Sequence, residues 1–207
     1  MAVKMLPPDP ASQIEIDNDR ARWPCFFPSS LGMITTWTTD GQPNLMPCGS
    51  TTVVSRHPFT IAVAICKYTI NDRYTSRFTL QSLRRSGRFG CGVAYADSTL
   101  VAAISYAGNI SFTRDPDKLA NSGLAVLELA SAPLLPALPI HFDCRVVGEE
   151  ALGTHVLVFG EVERIFVRRD LDPDNKLHWF PWSEVEPTHE QHRGQNPCAA
   201  AGHVATQ

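Results

Sequence analysis

The residues best suited to chemistry lie in a few short stretches. Asn44 opens the run NLMPCGSTTVVS, in which Gly49, Ser50, Thr51 and Thr52 offer unencumbered backbone amides and a row of hydroxyls. Such a patch suits a phosphate or the polar edge of a ring. A strand that uses threonine simply for its shape is the structural alternative. Farther on, RFTLQSLRRSGRF sets Arg77 and Thr79 just before a short helical pattern. A guanidinium, a hydroxyl and the unpaired N–H groups of a helix N-terminus converge there, which favours a phosphomonoester. The alternative is an ordinary threonine N-cap beside a solvated arginine. In GTHVLVFGEV, a single imidazole, His155, stands at the mouth of an aliphatic run that reads as a buried strand. It is either a strand-end polar residue or a hydrogen-bonding group held over a site.

Other chemistries find less support. No G-x-G-x-x-G, G-x-x-x-x-G-K-[ST] or G-x-S-x-G occurs, so Rossmann, P-loop and α/β-hydrolase readings lose their main evidence. His189, His192, Cys198 and His203 gather near the C-terminus, but HEQH does not have the H-E-x-x-H spacing of a zinc site and no regular element frames it. No metal site is expected. The six cysteines, Cys25, Cys48, Cys66, Cys91, Cys144 and Cys198, are scattered singly, with Cys66 and Cys144 inside strand-like runs, and read as reduced packing residues.

The elements that must position these groups are mostly strands. LGMITTWTTDGQPNLMP reads as a hairpin turned at Asp40-Gly41. FTIAVAIC (Phe59 to Cys66) and RFGCGVAYA (Arg88 to Ala96) read as two more strands, and AVLELA (Ala125 to Ala130) as a weaker one. PIHFDCRVV alternates, with Ile140, Phe142, Cys144 and Val146 on a core face and His141, Asp143 and Arg145 on a polar one. HVLVFGEVERIFVRR is the longest strand signal, with a bend or bulge expected at Gly160. Helical patterns are short: Thr79 to Ser86, Ser98 to Gly108 with Gly108 as the stop, and a third opened by Asp115-Pro116-Asp117-Lys118. Strands outnumber helices without alternating with them, so a mainly β barrel or sandwich with inserted helices is expected.

The chain of 207 residues accommodates one full domain, expected over residues 23–183 between an N-terminal extension (1–22) and a flexible tail (184–207). With 43% hydrophobic and 19% charged residues it has a globular composition. A formal charge of −3 and the absence of a lysine/arginine block argue against nucleic acid or an anionic membrane as partners. Prolines interrupt the N-terminus where a signal peptide needs its apolar core, so a cytoplasmic location is expected. Trp179, Phe180 and Trp182 follow the last strand and are expected to fold back on the domain.

The order of these pieces resembles the flavin reductase-like, FMN-binding split-barrel family over about residues 26–168. The counterparts of its pattern are Asn44 after the hairpin, Pro58 before a strand, Arg77-Phe78-Thr79 with Gly87-Arg88-Phe89, then Thr113 to Lys118, and Gly153-Thr154-His155 with Gly160-Glu161-Val162. The resemblance implies a Greek-key split β-barrel holding FMN, with FAD as the alternative, at the interface of a homodimer. It implies an NAD(P)H-dependent oxidoreductase of the flavin reductase type, with NAD(P)H as co-substrate and a monooxygenase as the partner taking reduced flavin. Flavin contacts are implied for Asn44, Met46, Pro47, Cys48, Gly49, Ser50, Thr51, Arg77, Thr79 and Lys118. His155 is the residue implied beside the flavin and nicotinamide, with Lys118 on the same side. The alternatives are a flavoenzyme of this fold with another redox substrate, or a flavin carrier without activity. The chain departs from the pattern at Thr154, where the family carries aspartate, and at Ser50, where an aromatic is common. The Lys67 to Ser76 connection is also longer than usual.

Overall fold

The computed structural model describes residues 30–67, 77–93 and 98–170. The terminal extensions, the aromatic cluster at Trp179, Phe180 and Trp182, the tail histidines, nearly all of the 67–76 connection and residues 94–96 of one expected strand lie outside that range.

Six strands form a closed antiparallel barrel in the order β1-β2-β3-β6-β5-β4, with β4 pairing back onto β1. They are β1 (Ser30–Trp37), β2 (Pro43–Arg56), β3 (Phe59–Cys66), β4 (Arg88–Val93), β5 (Ile140–Leu152) and β6 (His155–Val167). Helix α1 (Phe78–Ser86) joins β3 to β4, while α2 (Ser98–Asn109) and the single-turn α3 (Lys118–Asn121) lie between β4 and β5. The mainly β barrel with inserted helices is therefore the observed architecture.

Alternation of apolar residues on the strands builds the inner core from Ile34, Met46, Cys48, Ile61, Val63, Ile65, Phe89, Cys91, Cys144, Val156 and Val158. Leu80 and Leu83, three apart on α1, join that core, so the helix packs against the barrel interior with its apolar stripe. Each such leucine is stabilising by roughly 1.5–3 kcal/mol. A second core outside the barrel packs Met33 and Leu45 against Leu100 and Ala107 of α2, Leu119 of α3, and Leu124, Leu135 and Leu138. β1 is thus covered on both faces, which is why its Thr35 and Thr36 are fully buried.

Several sequence expectations change in detail. The first hairpin closes with the Thr38 N–H donating to the Gln42 carbonyl at 2.9 Å, so its turn holds three residues, Thr39 to Gly41, rather than two. AVLELA forms no strand; Leu127 makes one bridge to Leu134 within the segment that covers the outer core. His141 and Asp143 do face away from the barrel interior, but they are buried, because that same segment packs over them. Ser131 N–H donates to Asp143 Oδ2 at 3.0 Å, and Thr35 Oγ1 donates to the Pro133 carbonyl at 2.6 Å. α2 runs one residue past Gly108, which packs against Pro47 instead of ending the helix.

Gly160 is not itself the bulge. The register slips beside it, where Val147 is inserted on β5, and again at Glu163 on β6. Gly160 lacks a side chain because Phe89 fills its place: a Cβ there would lie 2.3 Å from Phe89 Cζ.

Candidate functional site

The candidate site forms at one rim of the barrel, where β2, the N-terminus of α1 and the β5–β6 turn meet. A bulge on β2 shapes its floor. Ser30 pairs with Thr51 but Gly32 pairs with Cys48, so Gly49 and Ser50 together oppose Leu31 and are pushed outward, both exposed. Thr51 Oγ1 then donates to the Cys48 carbonyl at 3.2 Å while its side chain packs on Gly32, where a Cβ would lie 2.5 Å away. Thr51 closes the bulge and is not among the residues that line either cleft, although a flavin contact was expected of it.

Two clefts share Met46 and Arg77. One, of about 490 Å³, is lined by Met46, Pro47, Cys48, Gly49 and Ser50, by the end of β3 from Ala64 to Cys66, by Arg77 and by His155. The other, of about 330 Å³, is lined by Asn44, Met46, Arg77, Phe78, Thr79, Lys118 and residues at the α2–α3 connection. The two clefts adjoin, with Met46 and Arg77 in the lining of both, and are treated below as two arms of one groove.

Arg77 is the N-cap residue of α1, in extended conformation, with its N–H bonded to the Cys66 carbonyl at 3.2 Å. Its side chain makes no cap bond and is exposed along the groove. Thr79, inside the first turn, is not the cap: its buried Oγ1 accepts from Asn44 Nδ2 at 2.9 Å. Asn44 Nδ2 also reaches Thr36 Oγ1 at 3.3 Å, while Asn44 Oδ1 is buried with no hydrogen-bond partner. Such an orphan acceptor costs about 1–3 kcal/mol.

Lys118 is positioned by a polar network. Asp115 accepts from the Asp117 N–H, from Asn121 Nδ2 and from Tyr106 Oη, tying the start of α3 to α2. Lys118 is buried, and its Nζ donates to the Ala107 and Ile110 carbonyls at 3.3 and 3.2 Å, at the C-terminal end of α2 where a cation is favoured. Burial, reinforced by the Arg77 charge, pushes its pKa down to about 8. The lysine sits in the smaller cleft with Asn44 and Thr79, whereas His155 lines the larger one. The two, expected on one side of a flavin, thus line different clefts.

His155 begins β6, opposite Cys66 on β3. The turn before it contains only Gly153 and Thr154, and Gly153 takes the left-handed φ of 48° that two-residue hairpins demand. Thr154 Oγ1 and His155 Nδ1 are 2.6 Å apart. Burial first, and Arg77 second, lower the ring's pKa. Cys48 is buried beneath the bulge with Sγ donating to the Ala64 carbonyl at 3.5 Å, and desolvation raises its pKa, so it is a thiol and not a thiolate nucleophile.

Sequence reasoning missed the β3 end and the α2–α3 connection as lining. Phe112 stacks on Phe78 at 4.7 Å between ring centroids, walling the smaller cleft. The signal was present as an isolated aromatic between Ser111 and Thr113, just ahead of the third helix start.

Comparison with known proteins agrees with this architecture. No curated protein matches the chain in sequence. Among solved structures, flavoredoxin of Desulfovibrio vulgaris superposes with a TM-score of 0.63 at 22% identity, covering 78% of this chain and 80% of that one. Nitrilotriacetate monooxygenase component B from Bacillus cereus gives 0.64 at 22% identity, covering 84% and 86%. The FMN-binding protein from Thermus thermophilus with bound 1-cyclohex-2-enone gives 0.63 at 15% identity, covering 77% and 83%. The family model for the flavin reductase like domain matches residues 24–183, and the chain belongs to that family.

Proposed function

We propose that the bent groove binds FMN and that the protein is an NAD(P)H-dependent flavin reductase, with FAD as the alternative flavin. The observation that carries this reading is the convergence of Asn44, Thr79, Arg77 and Lys118 on one cleft that continues, past Arg77, into a second cleft ending at His155. The donor set fits the cofactor. Arg77 and Lys118 supply cations for a phosphate, and the orphaned Asn44 Oδ1 calls for a hydroxyl or N–H donor, which the ribityl chain and the ring both carry. Gly49 and Ser50, turned outward by the bulge, offer room and hydrogen bonds for a flat ring.

A flavin bound there would supply the hydride-accepting redox chemistry, with Asn44, Thr79, Arg77 and Lys118 as the residues that would hold it. The chain's residues bind, orient and shield. Thr79 positions Asn44, Arg77 anchors both arms of the groove, and the wall of Phe78 and Phe112 excludes water. His155, kept neutral by burial and by Arg77, accepts or donates a hydrogen bond without transferring a proton. A homodimer with the groove at its interface and transfer of reduced flavin to a monooxygenase in the cytoplasm complete the proposal. Exposed Val147 and Leu152 on the hairpin that carries His155 support the interface.

One observation favours a second reading. The Thermus protein of this fold is described with a bound cyclic enone, and the larger cleft here has Ser50 where a bulky aromatic is common. A small carbonyl compound is then the oxidant or reductant partner of the flavin. Anaerobic titration separates the readings: FMN-loaded protein bleached by NADH or NADPH supports the reductase, whereas loaded protein that stays yellow contradicts it.

A further inference from the structure

We propose that Thr154 is the positioning residue of this site: its hydroxyl fixes the His155 ring through Nδ1 and, carrying no charge, leaves His155 a neutral hydrogen-bonding group for the nicotinamide. The inference rests on reading the larger cleft as the place where NAD(P)H meets flavin. Its geometry stands independently of that reading.

Thr154 is itself held. The two-residue turn sets its backbone, and the Lys67 N–H donates to its carbonyl at 3.1 Å, tying the turn to the end of β3. A residue fixed in this way restrains its neighbour's ring. With Nδ1 engaged at 2.6 Å, turning the imidazole over would exchange that nitrogen for a carbon and lose the bond, so one ring orientation toward the cleft is selected.

Charge follows from the same residue. Among the described residues, the titratable and charged groups that line the cleft with the ring are Arg77 ahead of α1, the Cys48 thiol on β2 and Cys66 at the end of β3; across the hairpin from His155 stands apolar Leu152. Among the described residues lining this cleft, none is aspartate or glutamate. A carboxylate in place of Thr154 would stabilise an imidazolium, whereas a hydroxyl bonds either neutral tautomer. Hydride donation turns the nicotinamide into a cation, and a neutral ring beside it does not oppose that change.

The test is the pH titration of the His155 ring by NMR in the full chain, assigned by difference against His155→Gln, for wild type, Thr154→Val, Thr154→Ser and Thr154→Asp. The wild-type ring is expected to titrate below the ordinary value of about 6.5 and to hold one orientation, read from NOEs between its ring protons and neighbouring side chains. Thr154→Val loses that single orientation and lowers kcat/KM for NAD(P)H about three- to tenfold, the scale of one hydrogen bond. Flavin affinity should stay within about twofold of wild type, as one neutral contact outside the flavin donor set implies. Thr154→Ser restores both properties, and Thr154→Asp raises the titration midpoint. A Thr154→Val protein with unchanged ring orientation and kcat/KM overturns the proposal, as does an unmoved midpoint in Thr154→Asp. If loaded wild type does not oxidise NAD(P)H, the functional reading fails instead, and the ring titration still decides whether Thr154 holds His155.

Discussion

Asn44 and Thr79 are 35 residues apart in the chain and joined by a 2.9 Å hydrogen bond between Nδ2 and Oγ1. That bond ties the entry of β2 to the first turn of α1 and brings the arginine before the helix to the same cleft as the asparagine. The groove exists because a strand and a helix N-terminus, distant in sequence, share this buried polar contact.

Thr79→Val keeps the shape and removes the hydroxyl. Asn44 Nδ2 then retains only the longer contact to Thr36, and stability should fall by about 1–2 kcal/mol in urea titrations. FMN affinity should fall with it, because Asn44 is freed to turn. Unchanged stability would show that the contact is replaced by water.

Lys118 sets a pH dependence for anion binding. Its amine, pushed down to about 8, is charged below that value and loses its proton above it in the free protein. A phosphate bound nearby favours the charged form, so binding should take up a proton above pH 8 and FMN affinity should decline from pH 7.5 to 9.5. Lys118→Met should bind more weakly at pH 7.5 and lose that slope. An equal slope in the variant would assign the titration elsewhere.

His141 should weaken the fold in acid. Burial lowers its pKa to about 4, below the value of about 6.5 for the unfolded chain, and its Nε2 has no partner. Above pH 6.5 the ring is neutral in both states and the contribution is fully present. As pH falls toward 4 only the unfolded chain takes the proton, and up to about 3 kcal/mol of stability is lost. Denaturation of wild type and His141→Gln at pH 7.5 and 4.5 measures this: the variant should lose less on acidification. Equal losses would place the acid sensitivity on other groups.

Gly160→Ala should be destabilising by about 1–3 kcal/mol, since its methyl meets the rigid Phe89 ring at 2.3 Å and the Cys144 Cβ at 3.0 Å. Chemical denaturation gives the value. A change under about 0.5 kcal/mol, the ordinary scale of a surface substitution, would mean that Phe89 moves freely.

Much of the barrel was legible because β5 alternates in hydrophobicity and β3 and β6 open as apolar runs bounded by turn or polar residues, which are local signals. What escaped was set by long-range contacts. His141 and Asp143 look solvent-facing in sequence, and only the segment packed over them makes them interior. Gly160 looks like a bulge, yet the slip lies across the ladder at Val147. In the site, the structure brings Asn44, Arg77 and Thr79 to one cleft. Ser50 lines the other cleft and Thr51 does not, a distinction that follows from the bulge at Gly49 and Ser50. Lys118 was placed beside His155 because order along the chain does not say which arm of a bent groove a residue joins.

On the proposed function, Arg77 anchors a flavin in the groove beside Asn44 and Thr79. FMN titrated into purified wild type and Arg77→Ala side by side, with flavin fluorescence as the readout, measures that anchoring. Wild type should show saturable one-site quenching, and the variant an affinity weaker by about 1.5–3 kcal/mol. Wild type that leaves FMN fluorescence unchanged, or a variant that binds as tightly as wild type, would contradict it.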